Sequence, residues 1–131
     1  MKTQNRRTVL HLVAGSVAAT IAAPAIAGPD PVFGLIETHR TARAAHFVAL
    51  AEQTRLDSIG DHRGANAITE APCHAEMDAF NALIETAPRT LASLRVWAAY
   101  LEEIRSDEAW MFEDGGPTLV ATFAQALANL A

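Results

Sequence analysis

Beyond residue 28 the apolar positions recur every three or four residues, the spacing of one helix face, and no stretch alternates as a half-buried strand would. Asp30-Pro31 opens the first element, with an acid at the cap and a proline where its missing N–H is harmless. The pattern predicts a helix from Pro31 to Leu56, with Val32, Ile36, Phe47 and Leu50 turned inward and Glu37, Thr41 and Glu52 outward. Residues 57–67, DSIGDHRGANA, hold two glycines and no period, and are expected to form a loop. A second helix follows from Ala71 to Thr86, with Pro72 in its first turn and Cys73, Met77, Phe80 and Ile84 toward the core. Ala87-Pro88 ends it, because the residue before proline avoids the helical region. Thr90 then caps a third helix to Arg105 that buries Leu94, Trp97, Leu101 and Ile104. The mixed segment SDEAWMFEDGG, 106–116, extends that helix by a turn or two until Gly115-Gly116 breaks it. Pro117 opens the last helix, to Leu130, with Leu119, Val120, Phe123, Leu127 and Leu130 on one face. The expected fold class is all-α, a small bundle of about four helices after an N-terminal signal segment.

The first 27 residues follow a different pattern. Lys2, Arg6 and Arg7 precede an apolar, alanine-rich run from Thr8 to Ala23, and Ala25-Ile26-Ala27 offers small residues at both positions a signal peptidase inspects. Two domains of use are therefore expected: residues 1–27 as a signal peptide and 28–131 as a single helical domain, with cleavage leaving Gly28 at the new N-terminus. The alternative is an uncleaved leader that anchors the chain in the inner membrane, since 8–26 approaches the ~20 residues needed to span a bilayer. Asn5-Arg6-Arg7-Thr8-Val9-Leu10 also resembles the twin-arginine export signal, departing from it in Asn5 and in His11, where Lys is common. An ordinary Sec leader is the competing route. The resemblance implies a periplasmic or secreted destination.

Charge sharpens the picture once the leader is set aside. The remaining 104 residues keep seven arginines, no lysine and all 15 acids, a net charge near −8. Such a surface repels phosphate backbones and anionic membranes, so nucleic acid is not an expected partner and membrane contact is expected only through the leader. Cys73 is the only cysteine, which excludes an internal disulfide even in an oxidising compartment.

Candidate chemistry is sparse. His39, Arg43 and His46 fall on or beside the apolar side of the first helix and form the one speculative ligand patch. The two histidines are seven residues apart, whereas metal pairs on one helix sit at i, i+3 or i+4, so no metal site is expected from them alone. Two alternatives stand: satisfied boundary histidines, or a cleft beside Arg43 for an anionic group. A buried Arg43 requires an acid from another helix or a place at the rim. Cys73 and His74 point about 100° apart and cannot clasp one ion. Ser58, Ser93 and Ser106 lack the glycine frame of a nucleophile elbow, and no phosphate loop occurs. The acids Asp107, Glu108, Glu113 and Asp114 lack the alternation of a calcium loop and are expected to be solvated. No catalytic residue and no cofactor are expected.

The order of segments (the leader, DPVFGLIETHRTA, TAPRTLASLRVWAAYLEEI and DEAWMFEDGGPTLVATFAQAL) resembles a group of short uncharacterised bacterial helical proteins with a twin-arginine-like signal peptide. The resemblance implies an exported helical domain and transfers no functional residue. The expected function is a non-enzymatic binding or structural protein of the cell envelope, with an unidentified protein or small ligand as partner. The alternative is a periplasmic metal- or cofactor-binding protein using histidines of the first helix.

Overall fold

The computed structural model describes residues 28–131, and the signal features at Arg6, Arg7, Ala25 and Ala27 lie outside them. The described residues are all-α: α1 Pro31–Ser58, α2 His62–Glu85, α3 Leu91–Asp107 and α4 Gly116–Leu130, with a 3-10 turn Ala109–Phe112 between the last two. Among these residues there is no strand.

α1 starts where Asp30 accepts a hydrogen bond from the Val32 N–H at 3.1 Å. The second Asp30 oxygen reaches across the fold, accepting from the Arg89 N–H at 2.7 Å and the Ser93 hydroxyl at 2.6 Å. One cap residue thus ties the first helix to the start of the third. Burial raises the Asp30 pKa, but these hydrogen bonds outweigh it and hold the carboxyl below its ordinary value.

The expected loop 57–67 shrinks to a tight turn. Gly60, at φ 81°, reverses the chain, and Asp61 caps α2 by accepting from the Gly64 N–H at 3.0 Å. A side chain at Gly64 would collide with that carboxylate, so the glycine read as a loop breaker is part of the cap. α2 consequently begins nine residues earlier than expected, and Pro72 lies inside it.

The buried face of α2 is also turned from the expected one. Glu76, Ala79, Phe80, Leu83 and Ile84 are buried, while Met77 is exposed and Cys73 only half-buried. The apolar period misplaced this face because the inward side carries an acid and an alanine. On α1, Val32, Ile36, His39, His46 and Ala49 are buried and Phe47 is not. Phe47 lies outside Arg43, whose guanidinium carbon is 5.2 Å from the ring centroid, a cation–π arrangement.

α3 matches the expectation. Thr90 and Ser93 form a reciprocal capping box, and Leu94, Trp97, Leu101 and Ile104 are all buried, together with Tyr100. The Trp97 indole N–H donates to the Leu83 carbonyl at 3.0 Å, so the largest core side chain leaves no polar atom idle. The helix stops at Asp107 rather than running on, and the 3-10 turn folds Met111 into the core. α4 corrects the sequence reading most. Of the expected face only Leu119 packs against the core; the buried residues are Thr122 and Ala126, and Val120, Phe123, Leu127 and Leu130 are exposed.

Candidate functional site

The expected patch on α1 is a buried polar cluster braced from α2, from α3 and from the residue that follows α3. His39 is fully buried, and its Nδ1 lies 2.8 Å from the Tyr100 hydroxyl of α3. Its ring meets Tyr100 edge-on and tilts against Phe80, with centroids 5.7 Å and 5.8 Å away. Burial penalises the imidazolium and lowers the His39 pKa to about 4, with Glu108 opposing that shift and Arg43 reinforcing it. Tyr100 is likewise pushed up to about 12 by burial. At neutral pH the pair is uncharged.

One turn further, Arg43 gathers the acids at the end of α3. It donates to Glu108 through Nε and to Asp107 through Nη2 at 2.8 Å, with Glu103 at 3.8 Å. Arg43 and Glu108 are both nearly buried, so this is the pairing that a buried guanidinium requires. Burial would lower the Arg43 pKa, but the hydrogen bonds to Asp107 and Glu108 outweigh it and raise it further. Glu108, expected as solvated charge, is therefore a buried structural partner, while Asp107 pairs with Arg43 and stays exposed as expected. His46 ends the row, with its Nδ1 2.5 Å from Oε2 of the buried Glu76 on α2. Burial raises the Glu76 pKa and the nearby Glu108 carboxyl adds to this, against the pull of His46.

The sequence placed His39, Arg43 and His46 together, and they do share one side of α1. It missed Glu76, Tyr100 and Glu108. Glu76 was findable: it stands four residues before Phe80 and seven before Leu83, in step with the buried face. Tyr100 fits the α3 stripe in the same way, three residues after Trp97. Nothing local marks Glu108.

Chemically the row is a set of closed pairs. His39 and His46 direct Nδ1 to different helices, and among the described residues no three His, Cys, Asp or Glu side chains are grouped to hold a metal ion. Two buried atoms, His39 Nε2 and Glu76 Oε1, have no hydrogen-bond partner among the described residues.

The outward side of α4 offers a different surface. A hollow of about 350 Å³ lies between α3 and α4, floored by Trp97, Leu101 and Phe112 and walled by Leu119, Val120 and Phe123. Glu102 and Arg105 stand at its α3 edge, paired to each other at 2.6 and 2.7 Å. No helix of the described residues is long and apolar enough to cross a membrane. No family model matches the chain, and neither a curated protein nor a solved structure matches it.

Proposed function

We propose that the chain is an exported, non-enzymatic helical protein of the cell envelope that binds a partner through the outward side of α4. The observation that carries this reading is the exposure of Val120, Phe123 and Leu127 beside an apolar hollow, on a helix with no charged residue. The polar cluster supports it from the other direction. Its histidines and arginine are engaged with Tyr100, Glu76 and Glu108, so they brace helices and present no nucleophile–base pair. Export rests on the leader pattern of residues 1–27 and on its resemblance to twin-arginine signals.

Fractionation with N-terminal sequencing tests the first half. The envelope fraction should hold protein beginning at Gly28, and uncut chain in the cytoplasm would sink the reading. Arg6→Lys with Arg7→Lys should block export by the twin-arginine route, whereas a Sec leader tolerates the swap. A photo-crosslinking residue at Val120 tests the second half in the living cell. It should capture another molecule, and the same residue at the exposed Glu37 of α1 should not. Silence at Val120 would remove α4 as a binding surface.

A second reading, a metal or cofactor protein, draws on His39 Nε2 and Glu76 Oε1, two buried atoms without a partner among the described residues. Stoichiometric metal in protein purified from the envelope would favour it over the first.

A further inference from the structure

α4 buries little of its apolar surface. Leu119, Thr122 and Ala126 turn toward the body, while four of its large apolar residues stay exposed. A helix that exposes Val120, Phe123, Leu127 and Leu130 leaves hydrophobic area uncovered among the described residues. The four exposed positions are spaced three, four and three residues apart, the a/d spacing by which two helices seat side chains into one another. We infer that this face is covered by a second copy of the chain, with α4 against α4 across a two-fold axis; the inference rests on the binding reading above.

Charge selects the second copy over other occupants. The described residues carry a large excess of acid, so two copies repel over most of their surface. From Gly116 to Leu130 there is no charged residue, which makes α4 the face on which two such chains can meet. A basic partner finds no carboxylate on α4 to hold it, and an anionic lipid surface finds no lysine or arginine there. The rim of the hollow carries one charge of each sign, Glu102 and Arg105. An edge with both signs is complementary to itself under a two-fold rotation, where the glutamate of one copy faces the arginine of the other. The seam on α4 is narrow beside the ~800 Å² per partner of a standard interface. The hollow must therefore be filled as well, and the assembled contact is four helices, α3 and α4 from each copy.

Sedimentation of the purified full chain provides the test. The full chain should run at twice its 14.0 kDa mass, and Phe123→Asp should halve it while leaving helical circular dichroism unchanged. Should Phe123→Asp unfold, Val120→Glu at the most exposed position makes the same test. Glu102→Arg should weaken association about fivefold, and adding Arg105→Glu should restore it, as a two-fold rim requires. A monomeric wild-type chain overturns the inference, whether residues 1–27 or nothing covers the face. A dimer that survives both α4 substitutions overturns it too, because association then lies elsewhere. Cross-links from Val120 to other molecules on a monomeric chain sink the second copy and leave the binding reading standing.

Discussion

α3 and α4 carry the same apolar signature and meet opposite fates. Leu94, Trp97, Leu101 and Ile104 follow the spacing of Val120, Phe123, Leu127 and Leu130, yet the first four are 0–8% exposed and the second four 37–71%. What separates them is fastening. α3 is capped by Thr90 and Ser93, joined to α1 through Asp30, Tyr100 and Arg43, and joined to α2 by the Trp97 indole. Among the described residues α4 has no side-chain cap, and its long-range side-chain bond there runs from Asn129 to the Pro88 carbonyl at 3.3 Å. Its approach to α2 is set at Gly115, where an added Cβ would come within 2.9 Å of Ile84. Close approach at that point lets Leu119, one turn further on, reach the core, and Thr122 and Ala126 continue that inward face. A period in sequence identifies the face of a helix but does not say that the same chain supplies its cover.

The sharpest way to break the contrast is to truncate each stripe at its aromatic. Trp97→Ala should cost ~3–5 kcal/mol, the usual price of a buried large aromatic, and it strands the Leu83 carbonyl. Phe123→Ala should cost far less when measured at concentrations low enough to keep the chain monomeric. Urea unfolding of both decides it, and equal losses would mean that α4 is packed as tightly as α3.

The polar ties on α3 come next. Arg43→Ala leaves Glu108 nearly buried and unpaired and should cost about 3 kcal/mol, the low end for breaking a buried pair because Asp107 and Glu103 remain wet. Thermal melts check this, and a loss below about 1 kcal/mol would demote the cluster to surface decoration.

His39 makes the tie to α3 sensitive to pH. Its pKa is about 4 in the fold against 6.5 unfolded, so between those values the unfolded chain takes up a proton that the native one refuses. Stability from this residue is therefore present above pH 6.5 and falls as pH drops toward 4, by up to roughly 3 kcal/mol. Glu76 acts in the opposite sense: its pKa is raised in the fold, so its contribution is lost as pH rises above its ordinary value of 4.5. The difference between wild type and His39→Gln isolates the histidine. It should shrink with acid, and a constant difference from pH 4 to 7 would contradict a neutral buried ring.

How much of this was legible in sequence follows the same contrast. The caps Asp30 and Thr90, the whole α3 stripe and the all-α class could be read because each depends on neighbours within a turn or two of helix. The α1 patch was half legible: His39, Arg43 and His46 are periodic on one helix, while Glu76, Tyr100 and Glu108 reach them from 30 to 65 residues away. The start of α2 was missed because Gly60 and Gly64 read as breakers, although one forms the turn and the other makes room for the Asp61 cap. The outward face of α4 was not legible, since amphipathic spacing is identical for a core and for an interface.

Gly115→Ala presses on the reason for α4's orientation. The new methyl must displace the Ile84 side chain or lift α4, and should cost about 1–2 kcal/mol as an overpacked contact. A cost near zero would mean that the close approach does not set the packing of the helix.

The smallest expected effect is at Val120, the most exposed of the four outward α4 positions. Val120→Thr keeps the β-branched shape and helix propensity nearly constant, and changes only how apolar the surface is. In the monomer little area is lost from a packed contact, so stability should stay within about 0.5 kcal/mol, as for surface substitutions generally. The matching change in the other stripe, Leu101→Thr, puts an unpaired hydroxyl into the core and removes packed volume, and should cost several times more. Denaturation of the two at equal low concentration gives the cleanest single comparison of the helices. If Val120→Thr destabilises the dilute monomer as much as Leu101→Thr does, the outer side of α4 is already covered by its own chain, and no second molecule is needed there.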